Sequence, residues 1–385
     1  MNRMLMDATA IVGIGETAFA KNLDPSELEL ACQAIKAALD DAGIKASEVD
    51  ALSSYTMEES LEFDVARNLG MGDIHFFSQV GYGGGAGCAA VGHVAMAVAT
   101  GVANVGVVWR ARKRSDPRKR VWAQVSPLVT DHWKYSRPWG LLRPVDEVAM
   151  FWRRYMHEFG ATRDHLANVA LACRRHANRN PRAFMHKRPM SRDEYMQARW
   201  ISEPLCLFDN CLESDGALAV VIVSAARAKD CAQPPAYIHA WSQGLPRQHQ
   251  NMTNYHGDNP MRGAAWAAAS NLWRQSELQP RDVKVAQIYD AFTPLIPFCL
   301  EAYGFCGEGE GGAFTDNGAI ELGGRLPITT SGGSLSEAYI HGMNLITEGV
   351  RQIRGTSTAQ VPGADTCLVT SAYVVPTSAM LLRRG

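Results

Sequence analysis

The amino-acid sequence predicts an α/β fold that contains an internal duplication. Short apolar runs typical of buried strands alternate with longer segments whose apolar residues recur at helical spacing. The same order of strand, helix, strand, glycine turn, helix and strand occurs twice in the 385 residues. We therefore divide the chain into a first half, residues 1–234, and a second half, residues 235–385.

The first half shows this order most clearly. One helix is predicted from Ser26 to Gly43, because Ser26 is a good N-cap and Gly43 fits just past the helix end. A second helix, rich in small residues, follows a cluster of glycines. Strands are predicted at residues 10–14, 49–55, 76–80 and 102–109, the glycine cluster lies at 83–87 and the second helix at 89–101.

The second half repeats these elements, and the first half carries an insertion. The insertion, at about 112–204, is rich in Arg, Trp, His and Pro and has helical pattern near 145–158 and 163–178. Such a long insertion is typical of a lid or a binding subdomain. In the second half, a strand is predicted at 235–244, a helix at 264–277, a further strand before 289, a glycine turn at 330–334 and a strand pair within 366–382.

Composition narrows the classes of partner and compartment. The formal net charge is −1, so the chain offers no overall field for nucleic acid or an anionic membrane. The nine cysteines form no C-x-x-C pair, which indicates neither a zinc ribbon nor a disulfide framework. We see no signal peptide and no apolar stretch long enough to span a membrane. We expect a cytoplasmic protein without a metal site.

Two motifs are weaker candidates for ligand sites. Residues 13–18 read G-x-G-x-x-A after a strand, but the helix does not begin inside the motif, so we do not favour dinucleotide binding. The basic run at 110–120 is expected to be a solvated loop, with an anion site for a ligand phosphate or a partner surface as the alternatives.

Three other segments, each at a turn near the end of a predicted strand, carry groups that could bind or react with a ligand. The glycines at 83–87 precede a helix, where backbone N–H groups can approach a ligand and stabilise negative charge. Tyr289 and Asp290 end a strand, and Tyr339 and His341 follow the second glycine turn. A lone tyrosine is usually a core residue, but two at corresponding positions of the two halves favour a site.

Taken in order, these segments resemble the thiolase superfamily, and within it the lipid-transfer-protein (sterol carrier protein x) type. The resemblance covers essentially the whole chain and includes AIVGIGETAF, PLCLFDNCLESDGALAVVIVSAARA, YDAF, LPITTSGGSLSEAYIHG and VPTSAMLLRRG. It implies a thiolase fold, in which duplicated βαβαβαββ halves form a five-layered αβαβα core.

The departures from the thiolase pattern bear on the chemistry. By the family's motifs, the nucleophilic cysteine falls on Gly84 and the second catalytic cysteine near Ala372, and the two histidines fall on Tyr289 and Tyr339. Cys88 is out of register with the motif. Claisen chemistry needs a thiolate that can be acylated, so its loss argues against a thiolase. We expect Gly84 to leave space for a bulky substrate.

This cysteine-less variant resembles the steroid side-chain-cleaving aldolases of actinobacteria and proteobacteria. The resemblance implies retro-aldol cleavage of a β-hydroxyacyl-CoA side chain of a sterol or bile acid, giving a steroid ketone or aldehyde and propionyl-CoA or acetyl-CoA. Tyr289 and Tyr339 would be the acid and base, in an order that the sequence leaves open. Residues expected to bind substrate are Gly84, Gly85, Gly333, His341 and Asp290.

The resemblance also implies the partners. Coenzyme A is part of the substrate and no separate cofactor is expected. A homodimer is expected to join a small partner protein that has an OB fold and a zinc-binding element. Two other functions stay open: a thiolase-type acyltransferase with a displaced cysteine such as Cys88, and a non-catalytic carrier of lipid or acyl-CoA.

Overall fold

The computed structural model describes residues 5–116, 131–249, 252 and 257–385. Within them, nine strands form one mixed sheet in the order β3-β2-β4-β7-β1-β8-β11-β10-β9, and β5 and β6 form a small hairpin. The strands are β1 (Thr9–Glu16), β2 (Ala51–Tyr55), β3 (Phe76–Val80), β4 (Val105–Arg112), β5 (Trp200–Ser202), β6 (Leu205–Cys206), β7 (Gly216–Ser224), β8 (Ala236–Gly244), β9 (Val285–Gln287), β10 (Thr366–Thr370) and β11 (Thr377–Arg383).

Helices separate these strands in the order that the sequence predicts. Ser26 caps the first helix by accepting a hydrogen bond from the Glu29 N–H, and Gly43 ends it with φ +71°. The helices are α1 (Glu27–Ala42), α2 (Glu62–Leu69), α3 (Gly87–Ala99), α4 (Pro144–Phe159), α5 (Arg163–Arg179), α6 (Arg192–Gln197), α7 (Ala225–Ala228), α8 (Ala264–Gln275), α9 (Leu295–Ala302), α10 (Gly311–Phe314), α11 (Gly333–Ser336) and α12 (Met343–Arg354).

The strand order confirms the duplication. β1 and β8 meet antiparallel at the centre, through the pairs Ala10–Tyr237 and Ile11–Ala236. Outward from β1 lie β7 and β4, antiparallel to their neighbours, and then β2, parallel to β4. Outward from β8 lie β11, β10 and β9 with the same sequence of directions. Each half therefore contributes four strands of the same topology, and the first half adds β3 at the outer edge, parallel to β2.

The helices form layers outside and between the half-sheets. α1 packs on β1, β7 and β4, and α8 packs on β8 and β11. α3 contacts strands of both halves, and so does α12, which places these two helices between the half-sheets. The result is the predicted five-layered αβαβα core.

The G-x-G-x-x-A motif serves this packing. Gly13 and Gly15 lie inside β1, and a Cβ atom on either would lie 2.1 Å from a carbonyl oxygen of α1, that of Ala38 or Ala34. The glycines let the helix approach the strand closely, and no phosphate-binding turn forms there. Dinucleotide binding at this motif is thereby excluded.

No helix in the described part of the chain is long and apolar enough to cross a membrane.

Candidate active site

Tyr289 and Tyr339 meet in the interior of the protein. Tyr289 lies two residues after the end of β9, and Tyr339 lies between α11 and α12. Their hydroxyl oxygens are 3.0 Å apart. The side chains are nearly inaccessible, with 3% and 8% of their surface exposed. The Tyr289 N–H donates to Thr370 Oγ1 on β10, which fixes the backbone of the strand end. The sequence prediction that these two phenols act together agrees with this geometry.

Gly84 lies directly beneath the Tyr289 phenol. A Cβ atom on Gly84 would lie 1.9 Å from Tyr289 Oη and 2.2 Å from Cζ. The Gly84 carbonyl accepts a hydrogen bond from the Ala372 N–H, so the glycine backbone is also held from the second half. The expectation that Gly84 leaves space for substrate is therefore wrong, because the phenol of Tyr289 already fills that space.

The two phenols face a cavity of about 460 Å³, a typical size for a small-molecule site. Five non-glycine residues in its wall have left-handed backbone: Thr56 (φ 22°), Met57 (φ 59°), Tyr82 (φ 76°), Met252 (φ 63°) and His341 (φ 49°). Strained backbone of this kind concentrates at functional sites. The rest of the wall is mainly apolar and includes Pro144, Val145, Ile201, Leu207, Phe292, Leu295, Val374 and Val375.

A second cavity, of about 350 Å³, shares part of this wall. It is lined by four cationic side chains, those of Lys21, Arg114, Arg174 and Arg188. The larger cavity is mainly apolar, whereas the smaller one carries these four positive charges. The two cavities meet beside the tyrosines. The residues common to both walls are Arg114, Leu207, Asn210, Cys211 and Glu213.

The start of the basic run is buried behind the site. Arg110, Arg112 and Arg114 alternate along β4 and its extension, so they lie on one face, and each is at most 2% exposed. Arg110 forms an ion pair with the buried Glu58 at 3.2 Å. The expectation of a solvated loop is therefore wrong for these three arginines, and residues 117–120 lie outside the described part of the chain.

His341 lies between two of these arginines. Arg110 Nη2 is 2.8 Å from His341 Nδ1, and Arg114 Nη2 is 2.9 Å from His341 Nε2. Burial and the neighbouring guanidinium groups hold the pKa of His341 well below its usual value. The imidazole is therefore neutral at physiological pH, and it lines the cavity as the sequence prediction requires.

The surroundings of the two phenols affect their pKa values differently. Burial, followed by Cys211, raises the pKa of Tyr339 to about 12, while Arg114 and the hydrogen bond from Tyr289 act to lower it. Burial, followed by Tyr339, raises the pKa of Tyr289 well above its usual value. The Arg114 guanidinium group, 5.1 Å from the centre of the Tyr339 ring, favours the phenolate of Tyr339, and either hydroxyl can donate the hydrogen bond between the two phenols.

Three residues predicted to bind substrate lie outside the walls of the large cavity. Gly85 packs against the backbone of the second half, since a Cβ atom there would lie 2.0 Å from the Pro376 carbonyl oxygen. Asp290 is fully buried and accepts hydrogen bonds from the Ser334 and Leu335 N–H groups at the start of α11. Gly333, with φ +59°, lets this turn approach the Asp290 carboxylate. Asp290 and Gly333 therefore support the turn that carries Tyr339, whereas Gly85 packs at Pro376.

The cysteines do not supply a thiolase nucleophile. Cys88 is 1% exposed, points to the Val369 carbonyl and lies outside both cavity walls, and burial raises its pKa to about 12. Cys211 does line both cavities, but burial also raises its pKa to about 12. Ala372, at the second thiolase cysteine position, also lines the large cavity.

Within the described ranges, no group of three or more His, Cys, Asp and Glu side chains could hold a metal ion. The absence of a metal from the chain stays a prediction. Sequence reasoning did not single out Arg114 or Cys211 as cavity residues. The period-two spacing of Arg110, Arg112 and Arg114 could have indicated a shared face, whereas Cys211 carried no such signal.

Comparison with known proteins fits this architecture. The thiolase N-terminal domain model matches residues 9–226, and the thiolase C-terminal domain-like model matches residues 247–382. The chain belongs to the thiolase family. Both the recognition of the family and the predicted fold are confirmed.

Within the thiolase family, several relatives are similar over nearly their whole length. The chain is 48% identical to 17-hydroxy-3-oxo-4-pregnene-20-carboxyl-CoA lyase of Mycobacterium tuberculosis, over 98% of this chain and 100% of the relative. It is 46% identical to the steroid side-chain-cleaving aldolase of Thermomonospora curvata, over 98% of each. The solved structure of an Ltp2-ChsH2(DUF35) aldolase matches with a TM-score of 0.94 and 46% identity, over 99% of each chain.

Proposed function

We propose that the protein is a lyase that cleaves the side chain of a steroid β-hydroxyacyl-CoA thioester by a retro-aldol reaction. The observation that carries this proposal is the hydrogen-bonded pair of Tyr289 and Tyr339, with a phenol standing over Gly84 where a thiolase has its thiol. The lyase and aldolase relatives, similar over nearly the whole chain, support the same reaction.

The charge that lies beside the phenols supports an assignment of their roles. In the reactive state Tyr339 is the phenolate and takes the proton of the substrate's β-hydroxyl group, because the Arg114 guanidinium group lies 5.1 Å from the centre of its ring. The bond between the α- and β-carbons breaks, the β-carbon becomes a carbonyl and the electron pair forms the thioester enolate. Tyr289 then gives its proton to the α-carbon.

The hydrogen bond between the phenols resets the pair. After cleavage, Tyr339 carries a proton and Tyr289 is the phenolate. Transfer of that proton from Tyr339 to Tyr289 across 3.0 Å restores the reactive state without a proton from bulk water. The negative charge passes from Tyr339 to the substrate enolate and then to Tyr289, and no separate cofactor is needed.

The two cavities match the two parts of the substrate. The apolar cavity of about 460 Å³ accommodates the fused rings, and the cavity of about 350 Å³ accommodates the coenzyme A arm. Arg174, Arg188 and Lys21 in the smaller cavity suit the phosphates of coenzyme A. The reacting carbons then lie where the cavities meet, beside Tyr339. We expect Arg188→Ala to raise KM with little change in kcat.

The protein is proposed to act as a homodimer with a partner of the kind named in the matching aldolase structure, which contains ChsH2(DUF35). β3 is an edge strand of the large sheet, and Phe77 on it is 70% exposed, with Phe63 on α2 64% exposed. An apolar, unpaired edge favours pairing with a second copy. An OB fold and a zinc-binding element in the partner stay a prediction, as does a cytoplasmic location.

The test is turnover of defined substrates by the purified protein, alone and with the partner. Steroid hydroxyacyl-CoA thioesters that carry side chains of two lengths are incubated, and the ketone or aldehyde and the short acyl-CoA are quantified. We expect propionyl-CoA or acetyl-CoA in equal amount to the steroid carbonyl product, without added free coenzyme A. Cleavage that depends on free coenzyme A would favour a thiolase, and binding without turnover would favour a carrier.

A further inference from the structure

The backbone and the side chain of His341 are both held in place. Its φ of 49° is in the left-handed region, and its carbonyl oxygen accepts a hydrogen bond from Tyr55 Oη at 3.1 Å. Its two ring nitrogens lie 2.8 and 2.9 Å from the guanidinium groups of Arg110 and Arg114. Non-glycine residues adopt such backbone only when the surroundings enforce it. The fold therefore fixes this imidazole at a defined point.

A neutral imidazole has one acceptor nitrogen, so it accepts from one arginine at a time. Arg110 has other partners: the Glu58 carboxylate at 3.2 Å, and the face of the Tyr55 ring at 5.2 Å. For Arg114, the contact with His341 fixes the guanidinium group at the cavity wall. The tautomer that has its lone pair on Nε2 accepts the hydrogen bond from Arg114.

Arg114 in turn lies against the catalytic pair. Its guanidinium carbon is 5.1 Å from the centre of the Tyr339 ring, and the His341 ring packs edge-on against the same tyrosine at 5.1 Å. Arg114 acts to lower the pKa of Tyr339, more strongly than Arg110 does. A fixed positive charge at this distance in a buried site favours a negative charge on the phenol.

We propose that His341 is a positioning residue that holds the Arg114 guanidinium group over Tyr339, where its charge stabilises the phenolate that accepts the substrate's proton. This inference rests on the proposed retro-aldol function. It differs from a role for Arg114 in binding the phosphates of coenzyme A, although Arg114 also lines the cationic cavity. The two roles separate in kinetics, because the first changes kcat and the second changes KM.

The first experiment removes and restores the charge. Arg114→Ala should lower kcat about 10²-fold with little change in KM, the usual loss for one preorganised electrostatic group. Millimolar guanidinium should restore part of the lost rate, while urea, which is of similar shape but neutral, should not. Arg175→Met, which removes an exposed arginine paired with Glu321, is the matched control. Circular dichroism checks that each variant is folded.

The second experiment tests the hydrogen-bond acceptor of His341 with two substitutions that place the same strain on the backbone. Glutamine and leucine are both β-unbranched residues that must adopt the same left-handed backbone, but only glutamine offers an acceptor. His341→Gln should keep more of kcat than His341→Leu, by about tenfold. Equal loss in both variants, or guanidinium and urea acting alike on Arg114→Ala, would overturn the inference. A change confined to KM in Arg114→Ala would do the same.

The experiments distinguish failure of the role proposed for His341 and Arg114 from failure of the proposed function. If the unmodified protein does not cleave steroid hydroxyacyl-CoA thioesters, the proposed function fails. If it cleaves them and the variants behave otherwise than stated, the proposed function stands and the role of His341 and Arg114 fails.

Discussion

The Tyr289 hydroxyl occupies the volume that a side chain at position 84 would need, with only 1.9 Å between Tyr289 Oη and a Cβ atom built on Gly84. The glycine and the tyrosine therefore form one structural unit, although 205 residues separate them in the chain. The phenol can stand 3.0 Å from that of Tyr339 only because position 84 has no side chain.

Substitution of Gly84 by cysteine should displace the Tyr289 phenol and abolish most of the retro-aldol activity. A misplacement of about 1 Å at a reacting group can lower the rate about 10²-fold. No thiolase activity should appear, because tyrosines stand where a thiolase has its histidines. Gly81→Ala is the matched control, since a Cβ atom there has no heavy atom within 4 Å. Full aldolase activity in Gly84→Cys would show that the phenol need not lie at this position.

Removal of either catalytic hydroxyl should lower turnover strongly without unfolding the protein. Tyr289→Phe and Tyr339→Phe should each reduce kcat by about 10²–10⁴-fold, the usual contribution of a positioned acid or base. Tyr303→Phe is the control, because its fully buried hydroxyl has no hydrogen-bond partner among the described residues. Rates close to that of the unmodified protein in both catalytic variants would contradict the assignment.

Loss of the Cys88 thiol should leave activity within about twofold, because this thiol behaves as a small apolar group in the core. Steady-state kinetics of Cys88→Ala measures this. Alkylation experiments need a Cys211→Ala background, since Cys211 lines both cavities and a bulky adduct there would block the site without being catalytic. An acyl group trapped on Cys88 would restore the thiolase hypothesis.

The pH dependence follows from the pKa of Tyr339. Burial raises that pKa to about 12, so the reactive phenolate is a minor form at neutral pH and its fraction grows about tenfold per pH unit. We expect kcat/KM to rise between about pH 6 and 10, where chemistry limits the rate. His341 adds no inflection near its ordinary pKa, because its pKa lies well below that value. A maximum near neutral pH would point to a histidine acid or base instead.

The fold and the tyrosine pair could be predicted from the sequence because both depend on local pattern and on motif order. The details of the site could not. The sequence suggested open space at Gly84, whereas the packing of the two halves brings the end of β9 against that turn. The arginines at 110–114 had the composition of a solvated loop, but the partner of Arg110, Glu58, is 52 residues away in the chain. Burial of a charge depends on such distant partners, which the sequence pattern does not show.

The shared volume of Gly84 and Tyr289 also restricts how a thiolase and this lyase can be interconverted by mutation. A chain with cysteine at 84 and tyrosine at 289 would hold a clash, whereas one with glycine at 84 and a smaller residue at 289 would hold a void. A void lowers stability but is usually tolerated, and an overlap of this size forces the backbone or the ring to move. The accessible path from a thiolase therefore loses the cysteine first and gains the phenol second, through an intermediate that has neither the thiol at 84 nor the phenol at 289.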